Sequence, residues 1–206
     1  SSVRVVIQPV YGACCHDNAA MHAPRLILAS TSRYRRELLE RLRLPFDVVS
    51  PGVDEAALAG EWPAALATRL ALAKARAVAA DASNAVVIGS DQVADLDGRA
   101  IGKPSSHERA VEQLKMMSGQ RVVFHTAVAV VRRDRAFERA LLAPVAVRFR
   151  NLRTDEIERY LQIDQPYDCA GSAKSEALGI ALLESIASDD PTALIGLPLI
   201  RTCALL

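Results

Sequence analysis

"LILASTSRYRRELLERLRL", Leu26 to Leu44, decides how the rest of the chain is read. Four apolar residues, Leu26–Ala29, run into Ser30-Thr31-Ser32, and Arg33, Arg35 and Arg36 follow at once. A short apolar run, a hydroxyl cap and then leucines at helical spacing predict strand, turn and helix. The strand is 26–29, Ser32 is the N-cap, and the helix runs to about Arg43 with Leu38, Leu39 and Leu42 inward. Arginines in a first helical turn are opposed by the positive end of the helix dipole. An anion held at the turn by free N–H groups removes that conflict. A merely solvated, basic helix start is the alternative.

Working outward, Phe46–Val49 reads as a second strand stopped by Ser50-Pro51-Gly52. Trp62-Pro63 opens an alanine-rich helix to about Ala80, with Leu66, Leu70, Ala73 and Ala77 on one stripe. Val86-Val87-Ile88 is a short strand with both faces covered, delivering Gly89-Ser90-Asp91-Gln92 to a sheet edge. A helix is expected from Glu108 to Met117, then two long strands, Arg121–Val131 and Phe137–Arg150, joined by a charged turn. A helix from Thr154, an apolar segment around Ile180–Ile186 and a last helix from Leu197 follow. Early strand–helix alternation with a later hairpin predicts α/β: a mixed twisted sheet with flanking helices, forming two lobes around a central cleft.

Composition narrows the partners. The net charge is +1, from 25 basic and 24 acidic residues, so the basic surplus typical of a nucleic-acid binder is missing. Aromatic residues make up 4%, too few for a base-stacking platform. No apolar run has the roughly 20 residues of a membrane span. Cys14, Cys15, Cys169 and Cys203 form no disulfide framework or metal clip, which points to a reducing cytoplasm. His16, His22, His107 and His125 have no ligand spacing. Residues 1–23 are read as an N-terminal extension, non-native or disordered, because Met21 stands where a native start would be. Residues 24–206 are one domain.

Strand ends are where α/β folds gather ligands. Asp91, directly after a buried strand, suits a general base or a metal ligand, and equally a plain turn. Gly98–Ser105 resembles a phosphate loop only superficially: the glycine spacing is short and Pro104 removes an N–H. Lys103 can still reach a phosphate as a point charge. Asp54-Glu55 could hold metal or be solvated, and Lys74, on an apolar stripe, either snorkels or points into a cleft. Together, Glu55 and Asp91 with Arg35, Arg36, Lys74 and Lys103 are the equipment for a polyphosphate and a divalent ion.

The ordered motifs "LASTSRYRRELL", "VDE", "IGSDQV", "GKP", "LKMMSG", "HTAVAV", "CAGSAKSEALGIALLE" and "LIGLPL" resemble the Maf family of nucleoside triphosphate pyrophosphatases, across about residues 24–206. "CAGSAKSE" and "DDPTALIGLPLI" are closest to its 7-methyl-GTP branch. The resemblance implies hydrolysis of the α–β phosphoanhydride, releasing a nucleoside monophosphate and pyrophosphate, with a divalent cation (Mg2+, Mn2+ or Co2+). It implies Asp91 as proton acceptor and Ser30, Arg35, Lys74 and Lys103 on phosphate, the choice between Arg35 and Arg36 staying open. It implies Glu55, with Asp91, on the metal, and Tyr34, Gln92 and Glu176 in base selection. An aromatic at 34 can stack on a base, and more strongly on a cationic one. A homodimer is expected from the family alone. A relative acting on dTTP or UTP, or a non-catalytic regulator of cell division, are the alternatives. The family usually carries proline where this chain has Arg33.

Overall fold

The computed structural model describes residues 24–206, so the expectation for residues 1–23 lies outside the described residues. The elements alternate at first: β1 (Leu26–Ala29), α1 (Arg33–Glu40), β2 (Asp47–Val49), α2 (Pro63–Ala79) and β3 (Val86–Leu96). There follow β4 (Arg99–Ile101), α3 (His107–Met117), the hairpin β5 (Arg121–Arg132) and β6 (Phe137–Phe149), α4 (Thr154–Asp164), β7 (Leu183–Ala187) and α5 (Leu199–Leu205). The sheet order is β2-β1-β3-β5-β6-β7, with β4 paired to β3. β1 runs parallel to β2 and β3, and every other pairing is antiparallel. The expected mixed α/β sheet with flanking helices is the observed one.

Alternation along the long strands sorts their side chains between the two faces. α2 covers one face, packing Leu66, Leu70, Ala71 and Ala75 against Ile27, Ala29, Val87, Val93, Ala127 and Ala129. On the other face α1 and α5 bury Leu38, Leu39 and Leu205 against Leu28, Ile88, Val128 and Val130. Farther along the same strands α3 and α4 bury Leu114, Met117, Ile157 and Leu161 against Val122, Phe124, Val145 and Val147. β3, β5 and β6 are thus shared by two lobes.

β3 corrects the short strand expected from the sequence. It continues through Ser90, Asp91 and Gln92 to Leu96, because β5 stays paired with it from Val131 opposite Val87 to Val123 opposite Asp95. Its other edge is interrupted. β1 leaves it at the Ala29–Gly89 pair and β4 joins only at the Ala94–Ile101 pair. Between them Ser90–Val93 have a strand neighbour on one side alone. That gap is the floor of the cleft. Polar residues sit mid-strand there because Asp91 meets Lys74 of α2 at the cavity, while Ser90 and Gln92 reach the 193–196 segment on the other face.

Candidate active site

Local chemistry builds the rim of the gap. Ser32 caps α1, its Oγ accepting from Arg35 N at 3.4 Å, while the buried Ser30 Oγ accepts from Ser32 N at 3.1 Å. α1 has no acidic residue in its first turn, so its dipole is left uncompensated where the turn meets the cavity. α2 comes close to β3 only because residue 89 is glycine. A Cβ there would lie 2.2 Å from Ala71 O and 2.7 Å from Ala75 N, both backbone atoms. This close approach carries Lys74 over Asp91.

Lys74 does not snorkel. It is 4% exposed, and its Nζ lies 2.6 Å from Asp91 Oδ1 and 2.5 Å from Glu55 Oε1. Arg35 Nη2 stands 4.0 Å from the same Asp91 oxygen, and its Nε donates to Gly196 O at 2.9 Å. Burial draws the Arg35 pKa down against the attraction of Asp91 and Glu55. Burial raises the Glu55 carboxyl, but Lys74, Lys103 and Arg35 outweigh it and hold the group below its ordinary value. Asp91 Oδ2 has no hydrogen-bond partner among the described residues and belongs to a cavity-lining side chain.

The cavity has a volume of about 590 Å³. Ser30, Arg35, Glu55, Lys74, Asp91 and Lys103 line it, as do Tyr34, Gln92 and Glu176. Arg36 is absent from its wall. Its side chain is exposed and pairs with Glu40 one turn along α1 at 3.0 Å, on the outer side of the helix. Of the two arginines left open by the sequence, the structure therefore brings only Arg35 to the cleft. Lys103 is exposed in the loop after β4.

Gln92 is anchored rather than loose. Its Nε2 lies 2.9 Å from Thr126 Oγ1, Ala193 O and Leu194 O, which leaves its carbonyl oxygen as the group available to a ligand. Ser90 Oγ, wholly buried, is 2.7 Å from Ala127 O and 3.0 Å from Gly196 O. Together Ser90, Gln92 and Arg35 tie the 193–196 segment across β3. That segment lies within the "DDPTALIGLPLI" motif, but no side chain marks its role, since its contribution is backbone carbonyls. Lys174, inside the "CAGSAKSE" motif, carries no sequence signal that sets it apart from a surface lysine. It is buried, bonds Asp164 O at 3.0 Å, and holds its Nζ 6.0 Å from the Tyr34 ring centre.

Glu55 and Asp91 converge on one point, since each reaches the same ammonium. Two carboxylate oxygens suit a hard divalent cation that completes its shell with water and phosphate oxygens. They fit such an ion by donor chemistry, with the Lys74 ammonium standing between them in this structure. They do not make a protein-only cage: among the described residues no three of His, Cys, Asp and Glu gather as a metal-holding group. No helix of the described residues is long and apolar enough to cross a membrane.

Known proteins with this sequence pattern are numerous. A protein of Polaromonas sp. named 7-methyl-GTP pyrophosphatase is 68% identical over 181 residues, spanning 88% of this chain and 83% of its own. Proteins of the same name from Albidiferax ferrireducens and Burkholderia orbicola are 64% and 61% identical, covering 88% and 89% of this chain and 92% and 89% of their own. A solved structure, the Staphylococcus aureus Ham1 protein, has a TM-score of 0.45 at 18% identity over 62% of this chain and 72% of that one. The Maf family profile, described as Maf-like protein, matches residues 25–206. On that match and these identities, the chain belongs to the Maf family.

Proposed function

We propose that this chain hydrolyses the α–β phosphoanhydride of 7-methyl-GTP, releasing 7-methyl-GMP and pyrophosphate. The observation that carries this reading is the Lys74–Asp91–Glu55–Arg35 cluster in the β3 edge gap, beside the open N-terminus of α1. Relatives carrying that name and more than half of these residues in common support the choice of substrate.

Ser30, the α1 N-terminus, Arg35, Lys74 and Lys103 bind the triphosphate, as cations and N–H donors do for phosphate elsewhere. Asp91 Oδ2 takes the proton of the attacking water. The new P–O bond forms as the anhydride bond breaks, and its electron pair leaves with pyrophosphate. Arg35, Lys74 and Lys103 balance that departing charge. A free carboxylate, pKa about 3.9, is a weak base toward bulk water at about 15.7. Glu55 and Asp91 would hold a divalent cation, which when bound would supply positive charge at the phosphates and lower the pKa of water. Tyr34 stacks on the base, and Glu176 accepts hydrogen bonds from the guanine edge, as carboxylates accept from base amino groups.

The test is a panel of 7-methyl-GTP, GTP, UTP, CTP and dTTP, with each of Mg2+, Mn2+ and Co2+ and with chelator, scoring pyrophosphate and monophosphate. Preference for 7-methyl-GTP is expected. Preference for UTP or dTTP moves the chain to another branch of the family. Release from none of them leaves a nucleotide-binding regulator and ends the enzymatic reading.

A further inference from the structure

Arg33 has no part in the catalytic cluster, yet it lines the same cavity. It is the first residue of α1, exposed, at a position the helix dipole makes unfavourable for a cation. What holds it is its neighbour. The Arg33 Cζ lies 4.7 Å from the Tyr34 ring centre, and Nη2 donates to the Tyr34 hydroxyl at 2.8 Å. The bond to Tyr34 raises the guanidinium pKa further, and Asp168 and Glu37 add weaker attraction. Lys174 lies over the same ring at 6.0 Å, fixed by Asp164 O and by Asp168 at 3.6 Å. Tyr34 is therefore a ring already serving two cations of its own chain.

An aromatic face attracts cations and bases alike through one π surface. We propose that Arg33 is a specificity-determining residue. Its guanidinium lies over the Tyr34 ring on which a base stacks, so a base that stacks on the face Arg33 covers gains that surface only by displacing it. A cationic base is resisted more than a neutral one.

The reason is charge. Methylation at N7 places a positive charge on the imidazole ring of guanine, whereas unmodified guanine is neutral. A displaced Arg33 stays tethered beside the site, and two like charges at contact range near a surface repel. A neutral residue at position 33 removes both the competitor and the repulsion. The methylated ligand gains from both, the unmodified one from the first alone. The inference rests on Tyr34 receiving the base in the proposed activity.

The experiment measures calorimetric affinities of 7-methyl-GMP and GMP in mildly acid buffer, where the methylated base is fully cationic. It uses the unaltered chain, Arg33→Ala, Arg33→Gln and Arg33→Lys, with Arg33→Gln keeping side-chain length should Arg33→Ala disturb the helix. The two neutral variants are expected to bind 7-methyl-GMP about two- to fivefold tighter, with the 7-methyl-GMP to GMP ratio rising at least about twofold. Arg33→Lys keeps the original ratio. An unchanged ratio in both neutral variants, an equal rise in Arg33→Lys, or no binding by any of the four proteins overturns the inference. Failure of the proposed activity shows separately, as triphosphates left uncleaved by a chain that still binds the monophosphates.

Discussion

The Lys74 ammonium donates to Asp91 Oδ1 at 2.6 Å, across 17 positions of sequence, with both side chains almost wholly buried. Burying two charges is favourable only when each is paired and the geometry is good. Here Glu55 and Arg35 extend the pair into a four-residue cluster that opens onto the cavity. Stability and catalysis therefore meet at the same atoms, and substitutions can separate them.

Asp91→Asn keeps the shape of the side chain and removes the proton acceptor. Turnover of the preferred triphosphate should fall at least about a hundredfold, with the circular dichroism spectrum unchanged. Pyrophosphate release near the unaltered rate would remove Asp91 from its role as base.

Lys74→Met leaves the buried Asp91 with Arg35 at 4.0 Å as its remaining cation, and breaking a buried pair typically costs about 3–5 kcal/mol. Combining it with Asp91→Asn removes the poorly compensated charge as well. The double variant should then be more stable than the sum of the two single losses allows, by about 1 kcal/mol or more in a double-mutant cycle. Urea unfolding gives the four stabilities. Additive losses would mean that the contact carries no coupling.

Away from the cleft, Glu61 offers a pH test. The Arg69 guanidinium, then the N–H of Leu58, hold its carboxyl down to about 2 from an ordinary 4.5. A carboxyl depressed by folding stabilises the folded state above its unfolded pKa and loses that contribution as pH falls through the folded value. Glu61→Gln should therefore lower the urea midpoint by a constant amount above pH about 4.5, and the difference should shrink to nothing toward pH about 2. A gap between the two proteins that does not change with pH would assign the effect to packing instead.

The fold was legible in sequence where the signals are local. The apolar Leu26–Ala29 run, the Ser32 cap and the charged turn before Phe137 each act within a few residues, and each lies where expected. The sequence shortens β3 because Ser90, Asp91 and Gln92 break its apolar pattern, and the groups that satisfy them, the 193–196 carbonyls, Ala127 O, Thr126 and Lys74, are all distant in sequence. Lys74 itself was ambiguous for the same reason: on its own helix it has alanine and leucine neighbours, and its partners come from elsewhere. Arg35 and Arg36 could not be told apart by type. They point to different sides of α1, one to Gly196 and one to Glu40. Arg33 and Tyr34 touch although adjacent, which no helical periodicity announces.

Gly89 is where the fold and the site are joined, and Gly89→Ala tests that joint. The added Cβ would meet the backbone of Ala71 at 2.2 Å and of Ala75 at 2.7 Å, and neither can yield as a flexible side chain would. α2 must move outward. Overpacking of this kind costs about 1–3 kcal/mol, so the melting temperature should fall by several degrees. Lys74 lies between those two contacts and moves with them, away from Asp91. The loss in kcat/KM should therefore exceed that of a variant equally destabilised elsewhere in the α2 interface, such as Val78→Ala, whose side chain packs against the sheet on the helix turn beyond Lys74. Equal activity in the two variants at temperatures well below both melting points would mean that the helix–strand spacing at Gly89 sets stability alone.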